Sequence, residues 1–247
     1  MGVPQIGCDC PTCTSADPRD KRRRTGVYVR AGETAFLIDT PPELRVACLE
    51  LNIRKVDAVV ITHAHMDHIA AFDDVRRFNT LNGQKPMNCY AAPETIDALH
   101  QIFPYITAKP NTRGLFRPMI NFKPVTRAFR IGEVKVTPLP VDHGGPRTNG
   151  YLLEAAGKRL AYISDCCAIP PRTMSKIRKV DVLVVDCLKE AAHPTHMNLA
   201  RSLAAIEAAG AKRGWLVHMS HSVKHADFEK LLPRHVHLSY DGLTVRA

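Results

Sequence analysis

Four apolar runs in this chain each end in a histidine or an aspartate, and that repetition restricts the fold more than any other feature. Asp57-Ala58-Val59-Val60-Ile61 leads into Thr62-His63-Ala64-His65-Met66-Asp67-His68. Val134-Lys135-Val136-Thr137-Pro138-Leu139-Pro140-Val141 leads into Asp142-His143-Gly144-Gly145. Arg159-Leu160-Ala161-Tyr162-Ile163-Ser164 ends in Asp165, and Gly214-Trp215-Leu216-Val217 ends in His218. Runs of this kind read as buried strands, and in α/β proteins ligands bind at the carboxyl ends of strands. One such ending is chance. Four describe a single rim of a sheet carrying a metal site. The stretch from His63 to His68 packs three imidazoles and a carboxylate into six residues, which no packing requirement asks for. An exposed polar turn is the rival reading, and the three downstream strand ends weigh against it.

With 247 residues, 45% of them hydrophobic, the chain has ample material for a core. No Gly/Ser linker, charge block, composition shift or internal repeat divides it. The strand-end residues run from 63 to 218, so a cut between them would split the set, and residues 1–247 read as a single domain. No apolar stretch reaches the ~18 residues needed to cross a bilayer, and the amino terminus lacks a signal-type apolar segment. Eight cysteines without such a segment fit the cytoplasm.

Periodicity predicts strands near 27–30, 34–39, 58–62, 87–91, 134–139, 150–155, 159–164, 181–186, 214–218, 235–238 and 242–246. Helices are predicted near 42–51, 68–80, 94–102, 171–178, 198–209 and 224–231. In the helix over 198–209, Leu199, Leu203, Ile206 and Ala209 form an apolar stripe with Arg201 and Glu207 off it, and Gly210 stops it. Strands mixed with surface helices place the chain in the α/β class.

The motif His-x-His-x-Asp-His together with the three later strand ends resembles the metallo-β-lactamase superfamily of metal-dependent hydrolases, over nearly the whole chain. The resemblance implies an αββα sandwich of two mixed β-sheets flanked by helices. It implies a first divalent metal on His63, His65 and His143, a second on Asp67, His68 and His218, and Asp165 bridging them. Imidazoles and carboxylates do not choose among zinc, manganese and iron. Each ligating imidazole usually donates its other N–H to a carboxylate or carbonyl. Asp39, after Phe36-Leu37-Ile38, is either such an acceptor or an ordinary strand-end turn residue.

A second cluster, Gly7-Cys8-Asp9-Cys10-Pro11-Thr12-Cys13, has the spacing Cys-x-Cys-x-x-Cys. Soft thiolates at this spacing favour tetrahedral zinc, which needs a fourth ligand, and His221, three residues after His218, is the obvious supplier. A redox-active or disulfide pair is the rival reading. Gly2-Val3-Pro4-Gln5-Ile6-Gly7-Cys8-Asp9-Cys10 is similar to the signature of the branch containing the phosphonate-pathway 5-phosphoribosyl 1,2-cyclic phosphate phosphodiesterase. That branch implies a structural zinc on Cys8, Cys10, Cys13 and His221, a knuckle over residues 8–13. It also implies a histidine near a helix start that acts on the leaving group. His196 matches it, with His193 a nearby decoy. The branch normally has a strand and a Gly-Thr-rich turn before Gly-Val-Pro, where this chain begins Met1-Gly2. Cys166 and Cys167, beside Asp165, read as packing residues or as an oxidation-sensitive pair. Cys48, Cys89 and Cys187 read as core, and His100, His225, His235 and His237 as ordinary surface or core residues.

The formal charge of +10 and the run Arg19-Asp20-Lys21-Arg22-Arg23-Arg24 suit anionic partners, although a solvated basic loop is the simplest account of the run. Between the first and second strand ends, Lys109, Arg113, Phe116 and Arg117 lie in a Pro/Gly-rich stretch that suits a loop over the site, binding substrate. The implied activity is hydrolysis of a small phosphodiester, a cyclic ribose phosphate or nucleotide, by a hydroxide held between two metals. His196 is then the general acid, and Asp67 joins it among the catalytic residues. A tRNA 3′-processing nuclease of the same superfamily is the enzymatic rival, with RNA as the weaker partner. A non-hydrolytic metal-binding protein similar to protein B of pyrroloquinoline quinone biosynthesis is the rival from another class. No membrane partner is expected, and a homodimer is compatible with the sequence.

Overall fold

The structure, a computed structural model, describes residues 2–107, 116–145 and 147–247. The chain separates into two compact units, Gly26–Val134 on one side and Met1–Thr25 with Lys135–Ala247 on the other.

In Gly26–Val134, strands β1 (Val27–Ala31), β2 (Thr34–Ile38), β3 (Ala58–Val60), β4 (Met87–Ala91) and β5 (Ile120–Pro124) lie side by side in sequence order. β1 and β2 are antiparallel, and every later neighbour pair is parallel. Parallel neighbours need crossovers, and the helices Leu44–Glu50 and Pro93–Ile102 lie within two of them. β2 and β3 are buried at every residue, which is why they read as unbroken apolar runs rather than alternating ones. Leu37, Val59, Ile61, Phe72, Cys89 and Leu99 belong to this unit's core.

The remaining strands are β6 (Phe129–Ile131), β7 (Val134–Val141), β8 (Thr148–Ala155), β9 (Lys158–Ile163), β10 (Val182–Asp186), β11 (Arg213–Val217) and β12 (Val236–Leu238). They form a sheet in the order β12-β11-β10-β9-β8-β7-β6, with β6 at one edge. β7, β8 and β9 are antiparallel neighbours, and β9 to β12 are parallel. The helices Pro171–Lys176 and Leu199–Ala209 make the crossovers that keep β9, β10 and β11 parallel. The second of these is capped at both ends. Asn198 accepts the Arg201 N–H at 3.2 Å, and Gly210 takes the left-handed conformation at φ 58°. Ile163, Leu183, Val185, Ile206 and Leu216 belong to this unit's core.

The predicted α/β class, with two mixed sheets flanked by helices, is the one observed. Several predicted details differ. The helix expected over 68–80 is instead Met66–Ile69, a 3-10 turn Phe72–Val75, and Arg76–Leu81. It breaks because the Ala71 N–H leaves the helical ladder for the Thr40 carbonyl at 3.0 Å. No strand forms over 242–246; the Arg213 guanidinium takes the Arg246 carbonyl there instead. β5 and β6 were not expected, the first half-exposed and the second only three residues long. Among the described residues, no helix is long and apolar enough to cross a membrane.

Candidate functional site

The sequence places its chemistry at the carboxyl ends of parallel strands in both units, and the local geometry follows from that. In Gly26–Val134, Asp39 follows β2, and Thr62 and His63 closely follow β3. The β2–β3 register sets Ile38 beside Val60, so the next residues come together. Asp39 accepts the Thr62 N–H and hydroxyl, each at 2.8 Å, and lies 2.8 Å from His68 Nδ1. Thr62 Oγ1 is 3.0 Å from His63 Nδ1. One buried carboxylate thus orients two imidazoles, directly at His68 and through the Thr62 hydroxyl at His63. Asp39 holds this position at φ 66°, a left-handed conformation that aspartate tolerates better than most residues. Burial pushes its carboxyl up, against the pull of His68.

His63 Nε2 and His65 Nδ1 stand 2.9 Å apart, and His68 Nε2 is 3.9 Å from Asp67 Oδ2. His63 and His68 are fully buried, while His65 is exposed and Asp67 half-buried. The four potential ligands are therefore presented in two pairs from one short segment.

In the other unit, Asp165 comes shortly after β9, Asp186 ends β10 and His218 follows β11. Asp165 Oδ2 lies 3.6 Å from His143 Nε2 and 3.4 Å from His218 Nε2. Both separations exceed the 2.7–3.2 Å of an ordinary N–H···O bond. They match the roughly 3.3 Å edge expected of two ligands held about 2.0–2.1 Å from a shared ion. The donor set therefore fits a divalent metal. Burial pushes the His143 imidazole down, which favours the neutral form that ligates. His143 Nδ1 donates to the Thr195 carbonyl at 2.8 Å. That approach depends on Gly144, whose φ is 79° and where a Cβ would come within 2.5 Å of Thr195 Cγ2.

His196 sits just before the Leu199–Ala209 helix, with its Nδ1 2.8 Å from Oδ2 of the buried Asp186. Its ring lies 4.7 Å from that of His143 and 4.8 Å from that of His218. His143, Asp165 and His196 could themselves hold an ion, their ligand atoms lying within 4.8 Å of one another. His193 is 5.2 Å from His196 ring to ring and engages the Thr195 N–H instead. Sequence reasoning missed Asp186, although the apolar run Val182–Asp186 ends in a carboxylate as the other strands do.

Cys8, Cys10, Cys13 and His221 come together within the same unit. Their sulfurs lie 3.2, 3.6 and 3.8 Å from His221 Nδ1. A tetrahedral zinc with Zn–S about 2.3 Å and Zn–N about 2.0–2.1 Å needs S···N edges of about 3.6 Å, so the four fit one. The Cys13 N–H points at the Cys10 sulfur and helps bring that thiol down to about 6. All eight cysteines are free thiols. Cys166 is buried, and Cys167 donates to the Asp142 carbonyl at 3.3 Å.

Of the predicted substrate contacts, Lys109 and Arg113 lie outside the described residues. Phe116 is exposed beneath the Arg76 guanidinium at 5.6 Å. Arg117 donates to the carbonyls of Tyr105 and Ile106, bracing the adjoining short helix. Much of the basic run is paired: Arg19 with Asp17 at 2.8 Å, buried Arg22 with Asp20 at 3.4 Å, and Arg23 with Asp241 at 3.6 Å.

A family model described as a Beta-lactamase superfamily domain matches residues 34–219, running through both units but excluding Cys8, Cys10, Cys13 and His221. A crystal structure of a diphosphatase from the PhnP family is similar at 36% identity and a TM-score of 0.89, over 98% of this chain and 91% of that one. A Porphyromonas gingivalis protein named octanoyltransferase is 30% identical over 98% of this chain, which spans 48% of that relative's length, about half. Coenzyme PQQ synthesis protein B of a Methylobacterium species is 29% identical over 75% of this chain and 68% of that protein.

Proposed function

This chain belongs to the metallo-β-lactamase superfamily, and from that premise we propose that it is a dinuclear metal-dependent phosphodiesterase acting on a small, cyclic phosphodiester. His63, His65 and His143 would hold one cation, Asp67, His68 and His218 the other, and Asp165 would be shared. Zinc and manganese both suit the donors. When bound, such a pair neutralises phosphate charge and lowers the pKa of a water to near neutrality.

The chain's own residues do the rest. Asp39 and Thr62 hold His68 and His63 in their ligating orientation, and the Thr195 carbonyl does so for His143. Asp186 accepts the Nδ1–H of His196 and favours its imidazolium, whose Nε2–H would pass to the departing alkoxide and leave the neutral imidazole. The Asp186–His196 contact at 2.8 Å is the observation that carries the proposal. A carboxylate-oriented imidazole beside ligating histidines is the arrangement a general acid requires. Cys8, Cys10, Cys13 and His221 would hold a structural zinc, and residues 1–247 act as one domain because the ligands come from 63 to 218. Eight free thiols suit a cytoplasmic setting.

The PhnP-family likeness supports a small phosphorylated substrate. The pairing of Arg19, Arg22 and Arg23 with acids leaves that run less suited to an RNA backbone. The similarity to coenzyme PQQ synthesis protein B favours the second reading, a metal-binding protein without hydrolase activity. Turnover of bis(p-nitrophenyl) phosphate, a ribose cyclic phosphate, a sugar-linked diphosphate and a pre-tRNA, compared on one metal-loaded preparation, separates these. The proposal expects the cyclic diester to be the best substrate. Preference for the diphosphate or the tRNA reassigns the substrate, and inactivity on all four favours the second reading.

A further inference from the structure

One stretch, residues 218–225, carries both His218 and His221, and it is held by two buried charged residues that the chemistry above does not use. Arg22 is only 6% exposed. Its Nη2 donates to the Ser220 carbonyl at 3.1 Å and to the Val223 carbonyl at 2.6 Å. Asp20 is fully buried, accepts the His225 N–H at 2.8 Å and faces Arg22 Nη1 at 3.4 Å. Arg22 and Val3 also exchange backbone hydrogen bonds at 2.7 and 2.8 Å. These fasten the same residue to the segment that leads into Cys8, Cys10 and Cys13.

The stretch needs holding. His218 has φ 61°, a left-handed conformation uncommon outside glycine, and such a residue persists only where its surroundings over-determine it. Burying a guanidinium is costly in itself, so stability alone is a poor reason to place one here. Its planar head, however, engages both carbonyls through Nη2 while Nη1 faces Asp20, a fixed three-contact geometry that a lysine ammonium does not reproduce.

We propose that Arg22, anchored by Asp20, is a positioning residue that grips the Ser220 and Val223 carbonyls and so fixes His218 against Asp165 and His221 against the three thiols. It acts through those histidines, and the inference rests on the ligand assignment above. Loosening Arg22 is then felt at both metal positions.

Cobalt(II) loaded in place of zinc reports both. Sulfur-to-cobalt charge-transfer bands follow the thiol site, and visible d–d bands follow the coordination geometry. In Arg22→Lys, cooperative melting is retained, both sets of bands change, and kcat on bis(p-nitrophenyl) phosphate falls by about 10- to 100-fold, as for ångström-scale misplacement. KM moves less than kcat, since Arg22 itself touches no substrate. Asp20→Asn keeps an oxygen for the His225 N–H and gives a smaller change of the same kind; it decides the matter alone if Arg22→Lys does not fold. A folded variant of either residue with the wild-type cobalt spectrum and wild-type kcat overturns the proposal. So does a loss of activity that only tracks loss of folded protein. The spectrum needs no substrate, so a wild-type protein inactive on every phosphodiester would sink the proposed function and still leave Arg22 tested.

Discussion

His196 Nδ1 lies 2.8 Å from Asp186 Oδ2, and that carboxylate also accepts the Cys166 N–H at 2.9 Å. The strand end of β10 is thereby tied both to the proposed acid and to the residue after Asp165. In Asp186→Asn a neutral amide faces His196 Nδ1 in place of the carboxylate, so the imidazolium that a general acid must be is no longer favoured. A drop in kcat of about 10²–10⁴-fold is expected, with metal content unchanged. His196→Ala gives a loss of similar size, and the double variant is no worse than the worse single one. Additive losses, or metal lost along with His196, contradict the role. Steady-state kinetics with elemental analysis on each variant decides it.

Asp39→Asn keeps a side chain that tolerates φ 66° but weakens the support of His68 and Thr62. Metal affinity should fall about 10–100-fold, the usual effect of removing a partner that orients a ligand. Competition with a chromophoric chelator measures it. Unchanged affinity would make Asp39 an ordinary turn residue.

The candidate ligands are legible in the sequence because metal-capable side chains are of few types and strand ends are easy to find. His63, His65, Asp67 and His68 stand out as a cluster that no core needs. Asp186 escaped notice although it ends an apolar run like the others, because it is isolated and its partner His196 is ten residues on. Thr62 gave no signal, since a hydroxyl that couples Asp39 to His63 looks like any threonine. The tertiary diversion of the Ala71 N–H to Thr40 broke a helix that periodicity alone predicts as continuous. β5 and β6 alternate weakly or are too short for a period to register. The sequence 242–246 has strand-like residues but forms no ladder.

Gly144→Ala puts a side chain at φ 79° and within 2.5 Å of Thr195 Cγ2. Destabilisation of about 1–3 kcal/mol is expected from the backbone strain. Displacement of the Thr195 carbonyl from His143 Nδ1 should also weaken metal binding. Denaturant melts of the metal-free protein isolate the first effect, and chelator competition the second. A wild-type melt and wild-type affinity together would show that the close approach is dispensable.

Asp181 accepts Lys212 Nζ at 2.8 Å and the Arg159 N–H at 2.9 Å. The Lys212 ammonium, and then the Arg159 N–H, hold its carboxyl below the usual range. Because the folded value lies below the unfolded one of about 3.9, this contact stabilises the fold above that pH. The contribution fades as pH falls through the folded value. Asp181→Asn should therefore lower Tm near neutrality and converge on the wild type in acid. A Tm difference that is constant with pH would remove the ionic explanation.

The most direct measurement is elemental analysis of protein purified without chelators and reloaded with zinc or manganese. About three metals per chain are predicted, two at the histidine and aspartate ligands and one at the thiols. About two should remain in Cys10→Ser, while Asp165→Ala should lose metal from the paired position and keep the thiol-bound zinc. A wild-type chain that binds a single metal, lost in Cys10→Ser and indifferent to Asp165→Ala, would contradict the dinuclear centre.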